Sequence, residues 1–121
     1  MATIELNEKN FEETINGKGM VIVDFWAPWC GPCKSFAPTY ETISAKYPDI
    51  VFGKVNTEIE QGLAASFQIR SIPTLMVFRE SVIIYSEAGA LPASGLEQLI
   101  EHAKKLDMAE VHKQIAEQGS N

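Results

Sequence analysis

The stretch VIVDFWAPWCGPCK, residues 21–34, passes from an apolar run into a turn and then into the start of a helix. Its first half is β-branched and aromatic, as in a buried strand. Its second half holds the only two cysteines of the chain, Cys30 and Cys33, separated by a Gly-Pro pair. A helix that begins here places Cys30 beside first-turn N–H groups that lack partners within the helix, and these groups stabilise a thiolate. The stretch therefore predicts a reactive sulfur at the end of a strand.

Short β-branched runs alternate with amphipathic stretches along the rest of the chain. Strands are predicted at residues 3–6, 20–26, 49–56, 74–78 and 82–86. Helices are predicted from an Asn7 cap to about Ile15, from near Cys30 to about Tyr47 with a bend at Pro38, over residues 60–67, and after Pro92. The order of elements implies an α/β fold, in which a mixed five-stranded sheet has helices on both faces.

The link between the last two predicted strands consists of Arg79, Glu80 and Ser81. A tight type I′ turn needs positive φ at both central residues, and glycine or asparagine usually supplies it. Because the link contains neither residue, we do not expect a type I′ turn here.

Residues 107–121 follow the last helix of this pattern. Asp107 and Glu110 have the spacing of a capping pair. Three apolar residues then share one helical face: Met108, Val111 and Ile115. We therefore predict a domain over residues 1–106 and a C-terminal helical extension and tail over residues 107–121, docked on the domain as a separate short helix. A continuation of the preceding helix and a dimer contact are the alternatives.

Composition narrows the class of protein. A chain of 121 residues that is 45% hydrophobic and 21% charged fits one globular domain with one core. The net charge is −6 and the ten basic residues are scattered, so nucleic acid is not expected as a partner. The N-terminus has no basic segment followed by an apolar core, and no apolar run is long enough to cross a membrane. We expect a cytoplasmic monomer with no membrane partner.

Three interpretations of the two cysteines compete. A zinc site needs two further ligands, but His102 and His112 lie far along the chain on a separate helical segment, so no metal is expected. A structural disulfide over so short a loop contributes only about 2 kcal/mol, and a reducing cytoplasm opposes it. A redox pair explains the spacing, because Cys30 attacks a foreign disulfide and Cys33 is close enough to resolve the mixed disulfide. On this interpretation Cys33 is the more buried and less acidic thiol.

The segment DFWAPWCGPCK, together with SIPT at residues 71–74 and AGA at residues 88–90, closely resembles the thioredoxin family over residues 3–106. The resemblance implies a thioredoxin fold and a protein disulfide reductase with no bound cofactor. It also implies two kinds of partner, disulfide-containing client proteins and a flavin-containing thioredoxin reductase that uses NADPH. Two alternatives share the fold: a redox-silent binding module, which does not need the cysteines, and a disulfide isomerase or oxidase, which typically has another dipeptide between them.

The resemblance also implies roles for two charged residues. Asp24 interrupts the apolar strand, where burial raises the pKa of a carboxyl group. It matches the buried family acid that accepts and returns the proton of the resolving cysteine. Lys54 matches the family lysine near that acid. The alternatives are a carboxylate hydrogen-bonded to local backbone and a solvated lysine at a strand end.

A groove for client proteins is implied by further matches. Pro73 matches the family cis-proline that faces the cysteines, and the cis bond leaves the backbone of Ile72 free to pair with an extended substrate chain. Five other residues complete the groove: Trp29, Gly31, Pro32, Gly89 and Ala90. Taken singly, each of these residues is also explained by packing or turn chemistry. At position 57 the chain has Thr, where the family often has an apolar residue at the edge of the groove.

Overall fold

A mixed five-stranded sheet forms the centre of the computed structural model, which describes residues 3–17 and 19–119. The strands are β1 (Thr3–Glu5), β2 (Met20–Trp26), β3 (Val51–Asn56), β4 (Thr74–Arg79) and β5 (Val82–Ala88). They are arranged in the order β1-β3-β2-β4-β5. β3 pairs in parallel with β1 and β2, whereas β4 is antiparallel to β2 and β5. The predicted mixed sheet is confirmed. Residues 1, 2, 18, 120 and 121, which the predicted domain and tail include, lie outside the described residues.

Helices cover both faces of this sheet. They are α1 (Phe11–Ile15), α2 (Gly31–Lys46), α3 (Gln61–Ser66), α4 (Ala93–Lys105) and α5 (Met108–Gly119). Because side chains alternate along a strand, Ile22 of β2 packs with α2 and α4, and Val23 packs with α1 and α3. Asp24 shares the face of Ile22 and is therefore directed toward the layer of α2 and α4. In the described part of the chain, no helix is long and apolar enough to cross a membrane.

α1 begins later than its predicted cap. The side chain of Asn7 accepts hydrogen bonds from the backbone N–H groups of Lys9 and Asn10, at 2.9 and 3.0 Å. This contact closes a turn that precedes the helix. Asn10 lies at the N-cap position before Phe11, without a capping hydrogen bond from its side chain. The prediction that the helix starts at Asn7 is wrong, because the polar side chain stabilises a separate turn.

The β4–β5 turn also differs from expectation. Glu80 and Ser81 alone connect the two strands, and their φ angles of 51° and 66° are those a type I′ turn requires. The left-handed conformation costs a residue other than glycine on the order of 1–2 kcal/mol. Contacts from distant residues act against this cost: Ser81 Oγ donates to Asn16 Oδ1 at 2.7 Å, and His112 Nε2 lies 2.8 Å from Glu80 Oε1. The expectation that no type I′ turn forms here is wrong.

A side chain from the sheet closes the end of α4. Arg79, the last residue of β4, donates from Nη1 to the carbonyl oxygens of Ala103 at 2.8 Å and Leu106 at 3.0 Å. Carbonyl groups in the last turn of a helix have no partner within the helix. The guanidinium group therefore donates to carbonyl groups at this helix end and holds α4 against the end of β4.

α5 is a separate helix, as predicted. Its start carries the expected capping contact, in which the Glu110 backbone N–H donates to Asp107 Oδ1 at 3.2 Å. Met108 is buried, whereas Ile115 is 45% exposed. The apolar stripe of α5 is therefore buried most deeply at its first residue, and its later residues line a shallow cleft beside β5.

Candidate active site

Cys30 and Cys33 form a disulfide at the junction of β2 and α2. Their Cα atoms are 5.2 Å apart, within the usual range for a disulfide. Cys30 is the N-cap of α2 in an extended conformation, and its Sγ accepts the backbone N–H of Cys33 at 3.2 Å. In the reduced protein this donor and the helix dipole stabilise negative charge on Cys30.

An apolar cluster encloses the disulfide. It contains the two cysteines with Ala27, and Trp26 and Ile72 pack against it. Cys30 is 4% exposed and Cys33 is 3% exposed, so the predicted difference in burial is small in the disulfide form. The two sulfur atoms differ instead in their place on the helix, since only Cys30 stands at the N-cap.

Asp24 is buried inside the protein with a perturbed acidity. Asp24 is 1% exposed. Burial raises the pKa of its carboxyl group from the ordinary value of 3.8 to about 7, while the positive charge of Lys54 acts to lower the pKa. Among the described residues, Asp24 Oδ1 has no hydrogen-bond partner. A carboxylate satisfied by local backbone is therefore not supported at this oxygen. An acid with this pKa exchanges protons readily near neutral pH.

Lys54 lies directly opposite Asp24 in the parallel pairing of β2 and β3. Its Nζ is 4.6 Å from the centre of the Trp26 ring, within the range of a cation–π contact. Asp24 and Trp26 are two residues apart on one strand and so share a face. Because Lys54 contacts an aromatic ring, it is not the solvated lysine of the alternative interpretation. The sequence did not lead us to predict a role for Trp26. Its position two residues after Asp24 on one strand was the available signal, because it places both side chains on the same face.

The predicted groove residues Ile72, Pro73 and Gly89 lie near Cys30. The Ile72–Pro73 peptide bond is cis, which confirms that prediction. The carbonyl oxygen of Ile72 is 3.7 Å from Cys30 Sγ, and the Gly89 N–H donates to the Pro73 carbonyl at 2.8 Å. Gly89 has a φ of 113°, a conformation that favours glycine. The four other predicted groove residues are exposed. Trp29, Gly31 and Pro32 flank Cys30 in the chain, and Ala90 follows Gly89.

The indole of Trp29 is held by a residue that the sequence analysis missed. Its Nε1 donates a hydrogen bond to Oε1 of Glu58, which lies in the turn after β3. The parallel register pairs Trp26 with Asn56, so the segments that follow these two residues leave the sheet side by side. The contact depends on that register, which the sequence pattern alone does not provide.

No group of three or more His, Cys, Asp or Glu side chains within residues 3–17 and 19–119 is arranged to hold a metal ion. The two histidines lie on different helices, His102 on α4 and His112 on α5. The chemistry that this site supports is the making and breaking of one disulfide. A disulfide at a helix N-terminus on this fold, with a buried acid on the strand that leads to it, defines the class of thiol-disulfide oxidoreductases.

Comparisons with known proteins agree with that class. The thioredoxin family model matches residues 2–102. A putative thioredoxin 2 of Streptomyces coelicolor is 51% identical over 117 residues, which cover 97% of this chain and 87% of that protein. The thioredoxin of Buchnera aphidicola is 42% identical, covering 81% of this chain and 93% of its own. Thioredoxin 1 of Synechococcus elongatus is 41% identical, with coverage of 74% and 85%.

The chain belongs to the thioredoxin family. It is a thiol-disulfide oxidoreductase with a redox-active Cys30–Cys33 pair, and the relatives named thioredoxin are disulfide reductases. Proteins of this family use no prosthetic cofactor and work with thioredoxin reductase and disulfide-containing proteins. A redox-silent binding module and a disulfide isomerase or oxidase are not favoured.

Proposed function

We propose that reduced Cys30 is the nucleophile and Cys33 the resolving thiol in the reduction of client disulfides. The Cys30 thiolate attacks one sulfur of the client disulfide, forms a mixed disulfide and releases the other client sulfur as a thiolate. Cys33 then attacks Cys30 Sγ and releases the second client sulfur. Two electrons pass to the client, and the Cys30–Cys33 disulfide forms. The position of Cys30 at the N-cap, with its Sγ accepting the Cys33 N–H, carries this assignment.

Asp24 acts as the proton carrier for the second step. The Cys33 thiol must lose its proton before it attacks, and a buried carboxylate with a pKa of about 7 accepts that proton and later passes it to the departing client thiolate. Lys54, opposite Asp24, limits the rise of the carboxyl pKa, because its positive charge stabilises the carboxylate. Asp24 and Lys54 thus set the pH at which resolution is fast.

The client binds in the groove around Cys30 as an extended segment. Its backbone pairs with that of Ile72, whose carbonyl oxygen is 3.7 Å from Cys30 Sγ. Pro73 and Gly89, joined by a backbone hydrogen bond, form one wall. The other groove residues supply exposed surface beside the disulfide: Trp29, Gly31, Pro32 and Ala90.

Regeneration requires an outside source of two electrons. We assign this step to thioredoxin reductase, which uses NADPH, and place the cycle in the cytoplasm with the protein acting as a monomer. Residues 1–106 carry the chemistry, because the described contacts with the cysteines all come from this part, and residues 107–121 form an appended segment. Reduction of insulin disulfides in the presence of thioredoxin reductase, followed by NADPH consumption, tests the coupled cycle.

Two serine variants test the roles of the cysteines. Reduced Cys33→Ser keeps the attacking thiolate but lacks the thiol that releases the product, so a mixed disulfide with insulin accumulates on a non-reducing gel and is released by a small dithiol. Cys30→Ser forms no such complex, and neither variant turns over. Equal trapping by both variants, or by neither, would contradict the assignment.

A measurement of reduction potential against glutathione separates the reductase from the other redox classes. A reductase of this fold has a reducing potential, whereas an oxidase has a strongly oxidising one. A strongly oxidising value would exclude the proposed direction of electron flow.

A further inference from the structure

An isoleucine is almost fully exposed in the turn between β3 and α3. Ile59 is 73% exposed, which is the largest value among the large apolar residues that the structure describes, and Trp29 follows with 66%. The two most exposed large apolar side chains therefore belong to the cysteine turn and to the turn that contacts it. Surface apolar groups that lie near an active site are candidates for contact with a partner.

The backbone around Ile59 is held in place by hydrogen bonds. The carbonyl oxygen of Asn56 accepts the N–H groups of Ile59 at 3.1 Å and Glu60 at 2.8 Å. The side chain of Asn56 accepts the N–H of Glu58 at 2.9 Å, and Gln61 Nε2 donates to the Glu58 carbonyl at 3.1 Å. An ordered turn presents its exposed side chain to a partner with little further loss of backbone entropy.

The same turn is joined to the redox site through Glu58. The carboxylate of Glu58 accepts the indole N–H of Trp29, the residue before Cys30. Ile59 is the next residue after Glu58, so the turn that presents its exposed side chain is the turn that contacts Trp29. The two exposed apolar residues thus belong to turns that are joined by a hydrogen bond beside the redox site.

Thr57 lies at the position where the family often has an apolar residue at the edge of the groove. The hydroxyl group of Thr57 donates to the carbonyl oxygen of Trp26 at 3.0 Å, so this side chain is engaged with β2. The position at which the family often has an apolar residue therefore offers none to a client. Ile59, two residues later in the same turn, offers one.

We propose that Ile59, together with Trp29, forms a specificity-determining contact for an extended client segment that carries a bulky apolar side chain to one side of the cysteine under attack. The client cysteine meets Cys30, and the apolar side chain reaches past Trp29 to Ile59. Ile59 takes no part in the exchange of sulfur bonds. The inference rests on the client groove proposed above and adds a preference for apolar sequence to it.

Single-turnover oxidation of the reduced protein tests this preference. The substrates are extended peptides with one disulfide, in which Leu or Ser is placed in turn at each position flanking the attacked cysteine. Oxidised glutathione, which has no bulky apolar side chain, is the control substrate. Wild type reacts faster with a Leu peptide than with its Ser counterpart, and Ile59→Ser reduces that ratio about three- to tenfold, as expected for loss of one apolar contact. The rate with oxidised glutathione does not change.

Two further variants complete the test. Ile115→Ser, at an exposed apolar residue on α5, retains the wild-type ratio, and Ile59→Leu retains most of it. Persistence of the full Leu preference in Ile59→Ser would overturn the inference, as would an equal loss in Ile115→Ser. A parallel loss of rate with oxidised glutathione would also overturn it, because the change would then act on the dithiol. Failure of the proposed exchange reaction itself would appear separately, as absence of trapping by Cys33→Ser.

Discussion

The two ends of the sheet place charged side chains in opposite surroundings. Toward the Trp26 end of β2, Asp24 is buried, and its Oδ1 has no hydrogen-bond partner among the described residues. At the Met20 end, beside the β4–β5 turn, Glu80 and His112 meet at 2.8 Å in contact with solvent. Burial changes the acidity of Asp24, whereas the exposed pair only joins a turn to a helix. Burial therefore perturbs the acidity of a charged group at one end of the sheet, whereas at the other end solvent surrounds the charged group and its partner.

The largest expected effect is that of Asp24→Asn on the pH dependence of stability. The carboxyl pKa is raised from 3.8 to about 7 by burial, so the folded protein keeps a proton that the unfolded chain loses between these values. The free energy of unfolding therefore falls as pH rises through this window, by a total on the order of 4 kcal/mol. Asp24→Asn removes that fall and is the more stable protein above pH 7. Urea unfolding across this pH range measures the difference.

An exposed aspartate provides the control. Asp49→Asn keeps the wild-type dependence of stability on pH, because the Asp49 side chain is 68% exposed. Identical pH profiles for wild type and Asp24→Asn would show that the buried carboxyl group does not titrate as described. Asp24→Asn is also expected to slow client reduction near neutral pH. Unchanged kinetics at all pH values would remove Asp24 from the proton-transfer step.

Removal of residues 107–121 is expected to have a smaller effect, and only on stability. The deletion exposes the surface that covers buried Met108 and costs about 2 kcal/mol, the usual contribution of one buried apolar side chain. The rate of insulin reduction stays within about twofold of wild type, which corresponds to a change of less than about 0.5 kcal/mol in transition-state stabilisation. Met108→Ala in the full chain reproduces most of the stability loss. A large loss of activity in a folded, truncated protein would assign the tail a catalytic or binding role.

The smallest effect is expected at the exposed pair. A double-mutant cycle of Glu80→Gln and His112→Gln gives a coupling energy below about 1 kcal/mol, because both side chains are about half exposed. The coupling also weakens as salt is added. A coupling as large as the Asp24 effect would mean that solvent does not screen this end of the molecule, and the contrast between the two ends would fail.

Sequence patterns predicted the parts of the molecule that local chemistry determines. The apolar run of β2, the Gly-Pro turn and the helix behind Cys30 all lie within one continuous segment, and their preferences agree. Asp24 was predicted to be buried because it interrupts that run. These features need no knowledge of which strands pair.

Contacts between distant segments could not be predicted in this way. The hydrogen bond from Trp29 to Glu58 depends on the parallel register of β2 and β3. The type I′ turn at Glu80 and Ser81 goes against local preference and is held by contacts with Asn16 and His112. In both cases a tertiary contact decides a local arrangement, and a reading of neighbouring residues does not contain it.

The contact between Arg79 and the end of α4 bears on how far the tail of this chain can vary. The guanidinium group comes from β4, so the carbonyl groups of Ala103 and Leu106 have their donors from inside the domain. Segments that follow Leu106 are not needed to satisfy that helix end. We therefore expect α4 to stay closed when the tail is extended, replaced or lost, and changes in the tail to leave the residues around the cysteines undisturbed.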